Sequence, residues 1–255
     1  MTAESGALTA LLVALSIGVA AVALWRVRIG RGRVDPADAL IGMAVLVWVS
    51  LAATAGLHVA LTGSLAGIED QPVALAMAGT VIGGLAAAGF SWARCDAEQL
   101  GLQRLALPWV AAGLLLVPAF LVVGGVWVSL LEWLGVAVHN QELLDMAGEG
   151  PDGAAAWAAL VYGALGAPVL EEIIFRGLVL AGVARRLGPT GGAVVSGLLF
   201  GLLHLSEPAF VVPLVLFGIA LGLLRVRSRS LVPSIVAHAG NNSLALVLAI
   251  AGLVG

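Results

Sequence analysis

Long apolar stretches separated by short polar or arginine-containing segments repeat along the whole 255-residue chain. A helix needs about 20 predominantly apolar residues to cross the hydrocarbon core of a bilayer. Judged by this pattern, eight stretches are predicted to form transmembrane helices, at residues 7–25, 40–61, 72–93, 105–131, 154–184, 190–204, 208–224 and 233–253. The pattern therefore predicts an all-α fold, a polytopic transmembrane helical bundle with about eight spans.

The predicted spans fall into two groups on either side of an acidic connection at residues 132–152. Residues 1–150 hold four spans with few ionisable residues inside them. Residues 151–255 hold four more, and these carry the ionisable residues that lie deepest in apolar sequence. We therefore expect an N-terminal group of transmembrane helices followed by a C-terminal group that carries the chemistry.

The composition agrees with a membrane location. Hydrophobic residues make up 61% of the chain and charged residues 11%, against roughly 25% charged in soluble domains, and the mean hydropathy is +1.09. The basic residues are scattered rather than gathered in one patch, so we expect no nucleic-acid partner. The single cysteine, Cys95, excludes an intrachain disulfide, and we interpret it as a small packing residue.

Among the loops, only alternate ones contain arginine, those that follow the first, third, fifth and seventh predicted spans. Under the positive-inside rule these loops face the cytoplasm. The sequence thus predicts an integral membrane protein of a bacterial cytoplasmic membrane, with an even number of spans and both termini on the opposite side.

Three ionisable residues, Glu171, Glu172 and Arg176, interrupt the fifth predicted span. A charged residue in a membrane helix costs at least about 2.5–3.5 kcal/mol on insertion scales, so such residues usually have a function. Glu172 and Arg176 are spaced for an ion pair on one helix face. Glu171 lies about 100° further round the helix, so we expect its carboxyl to point toward another helix.

Polar residues also mark the sixth and eighth predicted spans. Ser196, Phe200 and His204 share one face of the sixth, and His238 and Asn242 share one face of the eighth, because each set is spaced four residues apart.

A rise of about 1.5 Å per residue places Glu171, His204, His238 and Asn242 at similar depths. His58 and His139 lie at or beyond the opposite end of the spans, where we expect them to be solvated.

A carboxylate and an imidazole can together activate water, and an imidazole with a carboxamide can stabilise an oxyanion. This set of residue types therefore suggests a hydrolase. Two alternatives stay open: a structural ion-pair cluster that joins helices, and a zinc site formed by Glu171, His204 and His238.

The motifs Glu171-Glu172-x-x-x-Arg176, Phe200-x-x-x-His204 and His238-x-x-x-Asn242 stand in this order on three separate spans. Together they resemble the motif series of the CPBP family of CAAX-protease and bacteriocin-processing intramembrane endopeptidases, also called the ABI family, which includes the Ras-converting enzyme type. The resemblance covers residues 168–244, within the predicted C-terminal group 151–255.

The resemblance implies an intramembrane glutamic endopeptidase with no cofactor, although zinc use stays open. Its substrates would be peptides or proteins in or at the membrane, with lipidated tails or C-terminal signals. It implies that Glu171 is the catalytic base, that His204 helps to activate water, and that His238 and Asn242 form the oxyanion site. Glu172 and Arg176 would support them.

Two other classes of function stay open. One is a non-enzymatic membrane protein of the same fold, for bacteriocin immunity or partner binding, and the other is a small-molecule transporter. The sequence indicates no oligomeric state.

Overall fold

The computed structural model describes residues 3–32, 34–68, 73–139, 144, 147, 150 and 153–253. Within these residues every regular element is helical, which confirms the predicted all-α fold. The α-helices are α1 (Ala3–Arg28), α2 (Pro36–Thr62), α3 (Val73–Arg94), α4 (Ala97–Leu100), α5 (Leu107–Trp133), α6 (Gly153–Val161), α7 (Ala167–Glu172), α8 (Leu180–Leu202), α9 (Val211–Ser228) and α10 (Val232–Ile250).

Two π-helical turns, Tyr162–Gly166 and Ile173–Val179, join α6, α7 and α8, and a short 3₁₀ turn, Pro208–Phe210, precedes α9. Five helical segments of the described chain are long and apolar enough to cross a membrane: Pro36–Thr62, Ala74–Arg94, Leu107–Trp133, Pro208–Ser228 and Val232–Ile250. The length and apolar composition of these helices support an integral membrane protein.

The boundary between the fifth and sixth predicted spans falls at Gly188, inside α8. Gly188 has φ 72° and ψ 171°, and Pro189 follows it. Glycine adopts this positive φ without the steric cost that a Cβ would bring. Beyond this break the chain doubles back, so that the Ser196 hydroxyl donates a hydrogen bond of 2.8 Å to the Phe175 carbonyl.

Glycines on both helices allow α8 and α9 to approach each other closely. Gly197 on α8 faces Gly218 on α9, while Gly201 lies against Val215 of α9 and Gly222 lies against Ala193 of α8. Small residues of this kind are typical of closely packed membrane helices. A Cβ on Gly197 would lie 2.3 Å from the Ile219 nitrogen. This contact fixes the register of the helix that carries Phe200, and with it the position of His204.

We expect Gly197→Ala to destabilise the protein by about 1–3 kcal/mol, because the added methyl group must push apart two packed backbones. The matched control is Gly56→Ala, since a Cβ on Gly56 meets no atom within 4 Å. Denaturant or thermal unfolding in detergent measures both variants. Equal unfolding midpoints for the two would contradict this account of the interface.

The arginine-containing loops meet at one end of the bundle. There Asp38, which is fully buried, pairs with Arg26 at 2.7 Å and with Arg94 at 2.9 Å. Arg185 donates to the Val34 carbonyl at 3.2 Å, and Arg225 donates to the carbonyl of Gln99 at 2.8 Å. The predicted orientation requires all arginine-containing loops to lie at the same end of the bundle, as they do here. That this end faces the cytoplasm stays a prediction.

Cys95 is buried, and burial raises the pKa of its thiol to about 12, which suits the predicted packing residue.

The expectation of a solvated His58 is wrong. The chain after α2 turns at Gly63 and folds back, so that the buried His58 ring makes a hydrogen bond of 3.1 Å to the Ala66 carbonyl. His139 is exposed, as expected.

Candidate active site

The first π turn, Tyr162–Gly166, precedes the short helix α7 that ends in the two glutamates. Pro168, near the start of α7, explains why this turn forms. Proline has no N–H, and in a regular helix its ring collides with the carbonyl four residues earlier. Here the helix widens instead, and the Ala167 N–H bonds to the carbonyl of Tyr162, five residues back. The matching donor for the Gly163 carbonyl would be the missing N–H of Pro168.

Asn242 on α10 supplies that missing donor. Its side-chain nitrogen donates a hydrogen bond of 3.0 Å to the Gly163 carbonyl. In the apolar interior of a membrane bundle a carbonyl without a donor is costly, and neighbouring polar side chains commonly satisfy such freed groups. Asn242 therefore holds the π turn against α10.

We expect Asn242→Leu to lower the free energy of unfolding by about 1–2 kcal/mol, because the Gly163 carbonyl loses its donor. Asn241→Leu is the matched control, since among the described residues the Asn241 amide has only a 3.5 Å contact, to Asn242 itself. Unfolding midpoints in detergent distinguish the two variants. Equal midpoints would show that the carbonyl does not depend on this amide.

The predicted pair of Glu172 and Arg176 forms at the second π turn. Their side chains are fully buried, with Glu172 Oε1 and an Arg176 terminal nitrogen 2.9 Å apart. The other terminal nitrogen of Arg176 donates to the Gly218 carbonyl at 3.0 Å, and the guanidinium lies 4.8 Å from the centre of the Phe200 ring. Arg176 thus joins the turn that follows the glutamates to both α8 and α9.

Glu172 also contacts His238, a link that spacing within one helix cannot reveal. The Nδ1 of His238 lies 3.0 Å from Glu172 Oε1. Since a carboxylate only accepts hydrogen bonds, this contact assigns the proton to Nδ1. The ring is enclosed edge-on by Phe200 and Phe217, with centroid distances of 5.5 and 5.4 Å. His238 is therefore fixed in both orientation and tautomer.

Glu171 differs from its neighbour because its side chain is one-quarter exposed while that of Glu172 is buried. Its Oε2 lies 3.7 Å from Nε2 of His238, so the carboxyl does point toward another helix. It also lines a cavity of about 250 Å³. Of the two acids, Glu171 is the one that a bound molecule can reach.

His204 lines the same cavity as Glu171, just beyond the end of α8. Its Nδ1 lies 2.8 Å from the Phe200 carbonyl. A carbonyl can only accept, so Nδ1 carries the proton and Nε2 is left with a lone pair when the ring is neutral. The cavity thus contains a carboxylate and an imidazole with an available acceptor nitrogen.

The structure brings together most of the predicted residues in two groups. Glu171, Glu172, Arg176 and His238 form one connected cluster, and His204 shares a cavity with Glu171. Asn242 contacts the nearby π turn. An amide nitrogen has two protons, and the Gly163 carbonyl takes one of them, so the predicted oxyanion role of His238 and Asn242 stays a prediction.

A metal site was the open alternative. Within the described part of the chain, no group of three His, Cys, Asp or Glu side chains is arranged to hold a metal ion. Within these residues, Glu171, His204 and His238 are thus not arranged as a ligand set, and zinc use stays an open prediction.

The fold and this site together define a class: a helical membrane protein with a carboxylate and two imidazoles gathered inside its bundle, beside a cavity. Residues 153–244 match the family described as type II CAAX prenyl endopeptidase Rce1-like. The C-terminal part of the chain is therefore similar to this family, which confirms the resemblance indicated by the three motifs. No curated protein and no solved structure matches the chain.

Proposed function

We propose that this protein is an intramembrane endopeptidase that hydrolyses a peptide bond in a membrane-associated substrate. The family match supports a membrane protease in general terms. The specific proposal rests on the different surroundings of the adjacent residues Glu171 and Glu172. Glu172 is buried between Arg176 and His238, while Glu171 opens into a cavity beside His204.

In the proposed mechanism a water molecule binds between Glu171 and Nε2 of His204. Glu171 takes a proton from the water while the water oxygen attacks the scissile carbonyl carbon. The π electron pair of the carbonyl group moves to the carbonyl oxygen. The C–N bond then breaks, and the amine leaves with a proton returned from Glu171. One water is consumed, and one carboxyl and one amine are formed.

His238 has a positioning role in this scheme. Its Nδ1–H donates to Glu172, so that Nε2 is directed at Glu171 and the region where the oxyanion develops. In its imidazolium form, which carries a second proton on Nε2, His238 would join the second N–H of the Asn242 amide as a donor to that oxygen. Arg176 pairs with the buried carboxyl of Glu172 and so holds it in place against His238.

The name of the matched family suggests a first probe, a farnesylated peptide that ends in a CAAX sequence. Purified protein in liposomes is incubated with this peptide, with the unprenylated peptide and with an unrelated transmembrane peptide in H₂¹⁸O. Mass spectrometry should detect a new C-terminal carboxyl that contains ¹⁸O. Binding of all three peptides without cleavage of any would instead favour a non-enzymatic, partner-binding protein.

The same assay tests the role of metal. We expect activity to persist in the presence of strong chelators. Activity that disappears with a chelator and returns with zinc would replace the metal-free mechanism by a metal-dependent one.

We also propose that the arginine-containing end faces the cytoplasm of a bacterial cell. Reporter fusions after Arg94 and after Arg229 should then both report a cytoplasmic location. A periplasmic location for both would reverse the orientation.

A further inference from the structure

Tyr162 is the only tyrosine in the chain, and it lines the cavity that holds Glu171 and His204. In a regular α-helix, residues nine apart point in opposite directions, about 180° from each other. The π turn that begins at Tyr162 takes one extra residue and so rotates Tyr162 by about 100° relative to Glu171. The turn caused by Pro168 thus brings Tyr162 and Glu171 to one cavity.

Gly166 leaves room for the Tyr162 ring, and Gly84 lies next to its hydroxyl. A Cβ on Gly166 would lie 2.5 Å from a ring carbon of Tyr162, and a Cβ on Gly84 of α3 would lie 3.7 Å from its hydroxyl oxygen. The ring is therefore held by the backbone around it, with its hydroxyl directed toward α3.

The hydroxyl of Tyr162 has no hydrogen-bond acceptor among the described residues, unlike the other hydroxyls of this cavity. Ser50 donates to the Leu46 carbonyl at 2.7 Å, and Thr80 donates to the Ala76 carbonyl at 3.1 Å. The Tyr162 side chain and the Glu171 carboxyl line the same cavity. The Tyr162 hydroxyl is thus a free donor beside the proposed base.

We propose that Tyr162 is a catalytic residue whose O–H donates a hydrogen bond to the scissile carbonyl oxygen. The bond strengthens as the carbonyl electron pair moves to oxygen, and the phenol keeps its proton throughout. This inference rests on the proposed function. Asn242 does not line the cavity and already donates to Gly163, so Tyr162 supplies a donor on the side where Glu171 and His204 lie.

The first test is Tyr162→Phe, which keeps the ring and removes only the hydroxyl. We expect kcat for the farnesylated peptide to fall by about 10²–10³-fold, as when one oxyanion donor is removed, with KM changed by less than about 3-fold. Thr62→Val is the matched control, because it removes a hydroxyl that is bonded to its own helix and lies outside this cavity. It should turn over at the wild-type rate, and both variants should unfold at the wild-type temperature.

The second test does not depend on turnover. Because the chain has one tyrosine, biosynthetic incorporation of 3-fluorotyrosine places a single ¹⁹F label at position 162. A farnesylated peptide aldehyde, whose hydrate imitates the tetrahedral intermediate, should shift this resonance, and the corresponding peptide alcohol should shift it far less. Tyr162→Phe should bind the aldehyde about 10²-fold more weakly and the alcohol equally well.

The outcomes separate this inference from the function on which it rests. If Glu171→Gln is inactive while Tyr162→Phe has wild-type kcat and aldehyde affinity, the proposed function stands and the role of Tyr162 is overturned. If Glu171→Gln cleaves at the wild-type rate, the proposed mechanism fails, and the role of Tyr162 fails with it. If Tyr162→Phe loses kcat and folding stability together, and the aldehyde leaves the ¹⁹F resonance of the labelled wild-type protein unmoved, Tyr162 has a structural role and the proposal is also overturned.

Discussion

Replacing Glu171 with glutamine is expected to lower kcat for the farnesylated peptide by about 10²–10⁴-fold, the usual contribution of a general base. Glutamine keeps the size of the side chain and removes its capacity to take a proton. Since the Glu171 side chain is one-quarter exposed and lines a cavity, the substitution should leave folding unchanged. Initial rates of peptide cleavage, measured over a range of substrate concentrations, give the change in kcat.

Glu98→Gln is the matched control for this prediction. Glu98 is an exposed residue on α4, and the substitution removes one negative charge from the protein without entering the cavity. It should leave kcat at the wild-type value. Full activity of Glu171→Gln would exclude Glu171 as the base.

Arg176→Leu should destabilise the protein by about 3–5 kcal/mol, the usual cost when one partner of a buried ion pair is removed. The substitution leaves the carboxylate of Glu172 buried without its cation, and it also removes the donor to the Gly218 carbonyl. Arg186, which is exposed on the same helical stretch, offers the control Arg186→Leu. Its unfolding free energy should lie within about 0.5 kcal/mol of wild type.

A double variant distinguishes an unpaired charge from lost packing. Glu172→Gln combined with Arg176→Leu removes both charges, and the glutamine oxygen can still accept the hydrogen bond from His238. Replacing a buried ion pair by neutral groups is often close to neutral in stability. The double variant should therefore be more stable than Arg176→Leu alone, and equal destabilisation of both would point to packing as the main cause.

Helix positions and the main motif residues could be predicted from this sequence because they depend on short-range patterns. Apolar stretches of membrane-crossing length indicate α2, α5 and α10 directly. The four-residue spacing of Glu172 and Arg176 likewise fixes their ion pair within one helix.

The remaining features depend on contacts between helices or on a local change of helix geometry. Nothing in the spacing of Glu172 indicates that His238, 66 residues later, would contact it. The placement of Tyr162 was hidden because a regular helix turns it away from Glu171. Pro168 offered the available signal, since proline inside an apolar helix must disturb the bonding of the preceding turn. The glycines of α8 and α9 are visible in the sequence, but their spacing does not indicate which helix each one packs against.

The cavity beside Glu171 is lined by residues from two parts of the chain. Tyr162, Leu170 and His204 lie within the segment that matches the protease family, while Leu46, Ser50 and Thr80 belong to α2 and α3, outside it. In evolutionary terms, such a division separates the reacting groups from part of the surface that a substrate would touch. Helices α2 and α3 can diverge, and change which substrates fit, without any substitution in the three motifs.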